Sequence, residues 1–327
     1  MHNKDLLLIG ITSGIIALWI ISRLHKNEVS AANVTTVSKD KFGVSKLYKS
    51  VGREWFSNWY SQRSWTSKGF GHEIGSRDPG DSQTFLYCPT DDAGFPNSAS
   101  TTGNGILTLN GASLRLLVKK PGSYWNNVEV TTYVRDNGKY GTGHSDAVMN
   151  ISGPSNHDLA YLCNLTGYAY YATVNSGGRE EMLKELLHIS NPTGGPDGYS
   201  LNKFVVPSNE FSAGFPVGQW IGYKLLVQNS NGGKYRRIRY YRDMTNGLNG
   251  GDWKLLLDVT DTGNWGVSPD VWKMGEFNDS DCKKSSNKPN NSPTKILNFS
   301  ANSIQFRVYH HKVDMKKTSV REIPALP

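Results

Sequence analysis

The chain of 327 residues is predicted to fold as an all-β jelly-roll sandwich. Its 34 glycines, 16 tyrosines and 9 tryptophans are typical of a β protein with many turns, and long helical patterns are few. Apolar and polar residues alternate from Val128 to Arg135, as they do in a half-buried strand. One β-sandwich domain can reach about 250 residues, so the chain has room for a single large core.

Further segments of the chain have the residue patterns of strands and turns, and together they supply the strands that a jelly roll needs. Ile106–Asn110 and Ser113–Val118 form a predicted hairpin around Asn110-Gly111. Glycines, prolines, aspartates and serines between Trp65 and Gly105 predict loops and short strands. The further predicted strands are Gln219–Asn229, Lys234–Asp243, Trp253–Val259, Ser303–His310 and Thr318–Ile323.

The stretch Tyr168–His188 is ambiguous in its second half. A methionine and three leucines at helical spacing favour a helix, whereas the turn residues at 175–178 favour a hairpin. We interpret the second half as a strand, which puts Lys184 and His188 on one face. Tyr168 and Tyr170 share a face of the partner strand, so these side chains would line one patch of sheet that suits sugar chemistry.

The first 50 residues are predicted to lie outside the sandwich. Leu6–Ile21 is an uncharged apolar run, which predicts a hydrophobic helix that directs the chain to a membrane. Residues 1–26 are expected to be a membrane anchor or a signal segment, with a candidate cleavage site at 29–31. Residues 27–50 are expected to be a linker and residues 51–327 the jelly-roll domain. The protein is thus expected to be extracellular or at the cell surface, either membrane-anchored or secreted.

The charge of the chain favours a polyanionic partner. The formal net charge is +8 and the sequence pI is about 9.2. No long run of basic residues occurs, which argues against a disordered nucleic-acid arm. The expected partner is an acidic polysaccharide or a cell-surface glycan, and no nucleic acid is expected.

Cysteine spacing and short motifs indicate which disulfides, metal sites and glycosylation sites the chain could have. Cys88, Cys163 and Cys282 are compatible with one disulfide and one thiol in an exported protein. No CxxC or paired-histidine spacing predicts a metal centre, and no cofactor is expected. Structural calcium is an option for a sandwich, but the loop Asp243–Asp252 lacks EF-hand spacing and is better interpreted as a solvated turn. Six sequons are candidate glycosylation sites, at Asn33, Asn150, Asn164, Asn278, Asn290 and Asn298.

A series of collinear motifs between about residues 40 and 323 resembles a known family. The motifs are Lys41-Phe42-Gly43, Gly52–Trp55, Asn126–Val134, Ser155-Asn156-His157, Cys163 with Gly167-Tyr168, Lys184–His188, Trp220–Lys224, Gly250–Gly263 and Ser319–Ile323. Together they resemble a family of secreted concanavalin A-like jelly-roll proteins of archaea, bacteria and fungi, related in architecture to polysaccharide lyases. The resemblance implies a concanavalin A-like fold and a disulfide between Cys163 and Cys282. The chain departs from the family at residues 180–182, where a more β-rich stretch is usual.

A lyase that cleaves a uronan by β-elimination needs a group to neutralise the carboxylate, a base and an acid. The candidates are His157 and His188 as base, Tyr168 and Tyr170 as acid, and Lys184, Arg237 or Arg239 as the neutralising group. A glycoside hydrolase ranks lower, because the acids at 180, 181 and 185 lack the ExDxxE-like spacing of such enzymes. The sequence leaves open whether the protein is an enzyme.

Strand alternation also predicts a sugar-binding stripe. It places Arg237 and Arg239 between Tyr235 and Tyr241 on one sheet face. Guanidiniums pair bidentately with carboxylates and flat rings stack on sugars, so the stripe suits an acidic polysaccharide. The alternative function is non-enzymatic, namely a membrane-tethered surface or coat protein that displays the sandwich.

Overall fold

The structure is a computed structural model that describes residues 38–66, 76–87, 97–119, 124–141, 147–155, 169–186, 204–207, 210–266, 296–297, 300–301 and 303–327. These residues form a sandwich of two antiparallel sheets, which confirms the predicted all-β fold class. The apolar run Leu6–Ile21 lies outside the described residues. The described residues contain no helix with the length and apolarity that a membrane span requires.

The described residues form seventeen strands. In chain order these are β1 (Glu54–Phe56), β2 (Gln62–Thr66), β3 (Ser76–Asp78), β4 (Asp81–Tyr87), β5 (Ser98–Thr102), β6 (Ile106–Gly111), β7 (Leu114–Lys119), β8 (Val128–Lys139), β9 (Ala147–Ser152), β10 (Ala169–Asn175), β11 (Glu180–Glu185), β12 (Phe204–Val205), β13 (Ile221–Ser230), β14 (Tyr235–Asp243), β15 (Lys254–Asp261), β16 (Ser303–Val308) and β17 (His311–Glu322). Short 3₁₀ turns lie at Asn231–Gly233 and Leu248–Gly250.

The strands divide into a larger and a smaller sheet. Within the described residues the larger sheet has nine strands in the order β15-β14-β13-β8-β17-β6-β5-β2, with β1 also paired to β17. The smaller sheet has eight in the order β12-β11-β10-β9-β16-β7-β4-β3. About half of the neighbouring strands are not consecutive in the chain, so the pairing pattern depends in part on long-range contacts.

Strand β8 shows how alternation builds the sandwich. Val128, Val130 and Val134 are fully buried in the core between the sheets. Glu129 and Arg135 alternate with them and therefore lie on the outer face of the larger sheet. Burying each core side chain contributes on the order of 1.5–3 kcal/mol, which makes this register hard to shift.

The second half of the predicted linker belongs to the folded unit. Ser38–Pro327 form one compact unit, and Val44 is fully buried within it. The backbone N–H of Leu47 donates to Oε2 of Glu129 at 3.1 Å, and that of Ser45 donates to the carbonyl of Gly250. Because Glu129 is an outer-face residue, residues 38–50 lie across the outer face of the larger sheet. We call residues 38–50 the N-terminal strap, and they correct the expected domain boundary at residue 51.

The ambiguous stretch is a hairpin, as predicted. β10 and β11 pair antiparallel around the turn at 175–178. Gly178 has φ +81°, and a Cβ there would lie 2.1 Å from the carbonyl oxygen of Phe211. The turn therefore requires glycine at this position, and it overrides the helical propensity of the leucines that follow.

Candidate functional site

Many of the predicted site residues lie outside the described residues. These are His157, His188, Tyr168, Cys163, Cys282 and the sequon asparagines at 33, 164, 278, 290 and 298. Asn150 is described, and it lies in β9 between two neighbouring strands with 7% of its surface exposed. A bulky glycan does not fit at such a position, so the prediction that Asn150 is an acceptor is wrong.

The predicted patch around Tyr170 and Lys184 is not a surface. The two residues share one sheet face, as alternation predicted, and are direct partners across β10 and β11, but both are buried. The Tyr170 hydroxyl donates to Oδ2 of Asp261 at 2.7 Å, and Nζ of Lys184 donates to the same oxygen at 2.6 Å. Burial lowers the pKa of Lys184 and raises that of Tyr170 well above its usual value. Neither side chain reaches an external polysaccharide, because their shared face turns into the sandwich.

The predicted stripe on β14 does occupy the outer face, as alternation predicted. Arg237 is half-exposed and pairs bidentately with Asp258 on β15 at 2.8 and 2.5 Å. Arg239 is only 8% exposed, because it hydrogen-bonds Gln228 and stacks against the Tyr48 ring of the strap. Tyr235 and Tyr241 are half-buried. The prediction that Arg239 contacts substrate is therefore wrong for the folded chain, since the strap covers it.

The strap covers a buried ionic cluster formed by Glu129, Lys224 and Arg321. Glu129 accepts from Nζ of Lys224 at 2.8 Å and forms an ion pair with the Arg321 guanidinium at 2.6 Å. Burial alone would raise the pKa of Glu129, but the two cations outweigh it and hold the pKa below its usual value. The Arg321 guanidinium also donates to the Tyr48 carbonyl. This half of the outer face is thus sealed by polar contacts to the strap.

Among the described residues, the other half of the outer face is partly exposed and carries a tryptophan in contact with two cations. Trp220 precedes β13 and is half-buried. The guanidinium of Arg135 lies 4.7 Å from the centre of its ring and Nζ of Lys316 lies 4.1 Å from it. We call Trp220, Arg135 and Lys316 the cationic tryptophan site. The attraction of each cation to the indole face fixes their positions, while all three side chains keep solvent-exposed surface.

A carboxylate on a neighbouring strand holds Arg135 of this site in place. Asp314 on β17 is in register with Arg135 on β8 and accepts from its Nε at 3.1 Å and from its Nη2 at 2.5 Å. The Thr108 hydroxyl on β6 donates to the other carboxylate oxygen of Asp314 at 2.6 Å. Burial and the charges of Lys317 and Arg135 lower the pKa of Lys316 to about 8. Burial is the largest cause of this lowering, and the neighbouring positive charges add to it.

The outer face next to the site is lined by small polar groups. Asn110 and Thr108 on β6 and Ser98 and Ser100 on β5 point outward by alternation and are half-exposed. The Asn110 amide donates to the Ser98 hydroxyl at 3.2 Å. A flat ring, two cations and a row of hydroxyl and amide groups thus share one partly exposed sheet face.

The sequence contained part of the signal for this site. Alternation along β8 already placed Arg135 on the outer face. The pairing of β8 with β17, which brings Lys316 and Asp314 beside it, joins strands about 180 residues apart and has no local signature.

The loop at Asp243–Asp252 is organised by its first residue. The Asp243 carboxylate accepts backbone N–H groups from Thr245, Gly247 and Asp252, and also the Tyr133 hydroxyl. These hydrogen bonds hold the pKa of Asp243 below its usual value although burial opposes them. In the described part of the chain no cluster of three or more His, Cys, Asp or Glu side chains could hold a metal ion.

No protein-family model matches the chain, and no curated protein sequence matches it. Solved structures that align with it include the marine alginate lyase from Aplysia kurodai, which is 11% identical with a TM-score of 0.36 over 72% of this chain and 90% of the lyase. An alginate lyase from a Chlorella virus is 10% identical with a TM-score of 0.33 over 72% and 88%. The lectin UEA-II, complexed with galactose, is 10% identical with a TM-score of 0.35 over 79% and 98%. At these scores any assignment of function rests on the residues of this chain.

Proposed function

We propose that the protein binds an acidic polysaccharide at the cationic tryptophan site. The observation that carries the proposal is the half-buried indole of Trp220 with a guanidinium and an ammonium group 4.7 and 4.1 Å from its ring centre, since all three side chains keep exposed surface. The indole holds the two cations beside each other on the outer face of the sheet. Arg135 and Lys316 beside it provide charges for carboxylates on the same or the next sugar.

The chemistry of the site favours an acidic over a neutral glycan. A guanidinium forms strong charge-assisted hydrogen bonds with carboxylates. Asp314 holds Arg135 in one orientation, so less conformational freedom is lost on binding. The half-exposed hydroxyl and amide groups of β5 and β6 extend this face toward further sugar hydroxyls.

We propose binding rather than cleavage. Of the expected catalytic groups, Tyr170 and Lys184 are buried between the sheets and cannot serve an external polymer. His157, His188 and Tyr168 lie outside the described residues and do not support an assignment of a base or acid. Incubation with alginate or glucuronan should yield no increase in the absorbance of unsaturated product, and such an increase would establish a lyase.

We also propose that the sandwich is displayed outside the cell or at its surface. The apolar run Leu6–Ile21 supports this location, either as an anchor or as an export signal. The strap begins soon after this segment in sequence. A purely structural coat protein would have no affinity for uronans. The binding experiment below therefore distinguishes a coat function from polysaccharide binding.

The proposal is tested by calorimetric titration of the chain with an oligouronate. Replacing Trp220 by Ala should weaken binding about threefold to tenfold, since Arg135 and Lys316 lose the ring that positions them. Tyr124→Ala is the matched control, because Tyr124 is an exposed aromatic residue that precedes the opposite end of β8. Equal affinities for wild type and the Trp220 variant would overturn the proposal.

A further inference from the structure

A buried lysine and aspartate join the two sheets, independently of the proposed binding site. Lys184 lies in β11 of the smaller sheet and Asp261 ends β15 of the larger sheet. Nζ of Lys184 lies 2.6 Å from Oδ2 of Asp261, and both side chains have no exposed surface. Removing two ions from water carries a large desolvation cost, so a plain ion pair at this position contributes little net stability.

The groups around the Asp261 carboxyl are placed for formation of an amide. Oδ1 accepts the backbone N–H of Gly263 at 3.0 Å, a donor that would stabilise negative charge on this oxygen in a tetrahedral intermediate. Oδ2 accepts the Tyr170 hydroxyl at 2.7 Å, so a proton donor already contacts the oxygen that would leave. The Trp265 ring lies 5.6 Å from the Tyr170 ring and walls the site with apolar surface.

A second buried lysine–carboxylate pair lacks this arrangement. Nζ of Lys224 lies 2.8 Å from Oε1 of Glu129, but the Arg321 guanidinium lies 2.6 Å from the same oxygen. A guanidinium keeps its charge in a protein and therefore holds Glu129 as a carboxylate, which resists attack by an amine.

The guanidinium nearest to Asp261 in the strand register is engaged elsewhere. Arg236 is the partner of Asp261 across β14 and β15, but it donates to the side chains of Asn126 and Asn229. In the described part of the chain, Asp261 forms its ion pair with Lys184, an amine that can release protons. Burial lowers the pKa of Lys184, which favours the neutral form that attacks as a nucleophile.

We propose that Lys184 and Asp261 form an intramolecular isopeptide bond. Nζ attacks Cγ of Asp261, the bond between Cγ and Oδ2 breaks, and Oδ2 leaves as water. Before the attack, one proton of the Lys184 ammonium group passes directly to Oδ2, which frees the nitrogen lone pair. Of the two protons left on nitrogen, one stays on the amide and the other leaves with Oδ2, so the ammonium group supplies every proton that the step needs. The Tyr170 hydroxyl passes one proton to Oδ2 and takes one back from the nitrogen, so no other reactant is consumed. The product links the sheets between residues 77 positions apart in sequence.

The test is a tryptic map of the denatured full chain together with its intact mass. We expect a mass lower by one water molecule than the same chain without the bond. Trypsin should fail to cleave after Lys184, and residues 180–203 should appear joined to residues 255–273. Complete recovery of separate peptides 180–184 and 255–273, with no joined peptide, would overturn the proposal.

Variants assign the bond to these side chains and to the tyrosine. Asp261→Ala and Lys184→Arg should both abolish the joined peptide, and its persistence in either variant would contradict the assignment. Tyr170→Phe keeps the ring but removes the proton donor, so the joined fraction should form more slowly after refolding. Cleavage after Lys224 serves as an internal control, since that lysine should stay free of an isopeptide bond in every sample.

Discussion

Tyr170 and Lys184 lie directly opposite each other on β10 and β11, and both side chains donate to the same carboxylate oxygen of Asp261. Asp261 comes from the other sheet, so the three residues connect the two layers of the sandwich. A buried polar group shared in this way stabilises the fold only while all partners are present. The stability of the chain should therefore depend strongly on Asp261.

Replacing Asp261 by Ala should lower the free energy of unfolding by about 3–5 kcal/mol, since it removes the buried counter-charge of Lys184 and the acceptor of the Tyr170 hydroxyl. Asp258→Ala is the matched control on the same strand, because its ion pair with Arg237 is partly exposed and should be worth less than about 1 kcal/mol. Urea unfolding followed by circular dichroism measures both. Similar losses in the two variants would contradict a special role for the buried pair.

The ionic cluster under the strap should make stability depend on acid pH. Because the folded chain holds the pKa of Glu129 below its ordinary value, the stabilisation by this carboxylate is fully present at any pH above that ordinary value. The contribution is lost as pH falls through the lower folded pKa. Glu129→Gln should destabilise the chain by about 3–5 kcal/mol at pH 7, since Lys224 and Arg321 stay buried without their carboxylate.

Thermal unfolding at several pH values between neutral and acid checks this expectation. The difference in stability between wild type and the Glu129 variant should narrow as the pH is lowered. A difference that stays constant with pH would show that the carboxylate charge is not the stabilising element.

Binding should weaken at alkaline pH because of Lys316. Its pKa is lowered to about 8, whereas an ordinary lysine keeps its charge to about 10.4. As pH rises through 8, the free protein loses this charge and its affinity for an oligouronate should fall. Lys316→Arg should remove most of this pH dependence, because arginine stays charged. Calorimetric titration with an oligouronate from pH 7 to about 9.5 measures the affinity of both proteins. Identical pH dependence for the wild type and the Lys316→Arg variant would exclude Lys316 as the titrating group.

The loop after β14 should be less stable when the Asp243 carboxylate is removed. Asp243→Asn replaces one oxygen acceptor by a donor that faces backbone N–H groups and the Tyr133 hydroxyl. We expect a loss of about 1–3 kcal/mol. Asp252→Asn is the control, because Asp252 contributes its backbone N–H to Asp243 and that group is unchanged by the substitution. Equal unfolding midpoints for wild type and the Asp243 variant would contradict this account of the loop.

The sequence predicted the fold class and the hairpin register for the same physical reason. Strand alternation is local, so β8 could be identified from its own residues, and the turn before β11 outweighed the helical propensity of its leucines. Burial of the predicted patch could not be foreseen. Alternation shows that Tyr170 and Lys184 share a face, but only the packing of the second sheet shows that this face is internal.

The strap and the binding site depended on contacts between distant segments. Polar composition suggested a linker for residues 38–50, yet these polar groups pair with a charged outer face rather than with solvent. The same outer face made Arg239 look like a ligand-binding residue. Lys316 and Trp220 meet Arg135 only when β8, β13 and β17 pair side by side.

The most direct test is the ratio of affinities for an oligouronate and a neutral glucan of equal length, measured by calorimetry at pH 7. The wild-type chain should prefer the uronate, and the double variant Arg135→Gln with Lys316→Gln should lose most of this preference. The matched control removes two cations at the other end of the sheet, with Lys234→Gln and Arg237→Gln, and should keep it. An unchanged ratio in the Arg135 and Lys316 variant, or an equal loss in the control, would contradict binding at the cationic tryptophan site.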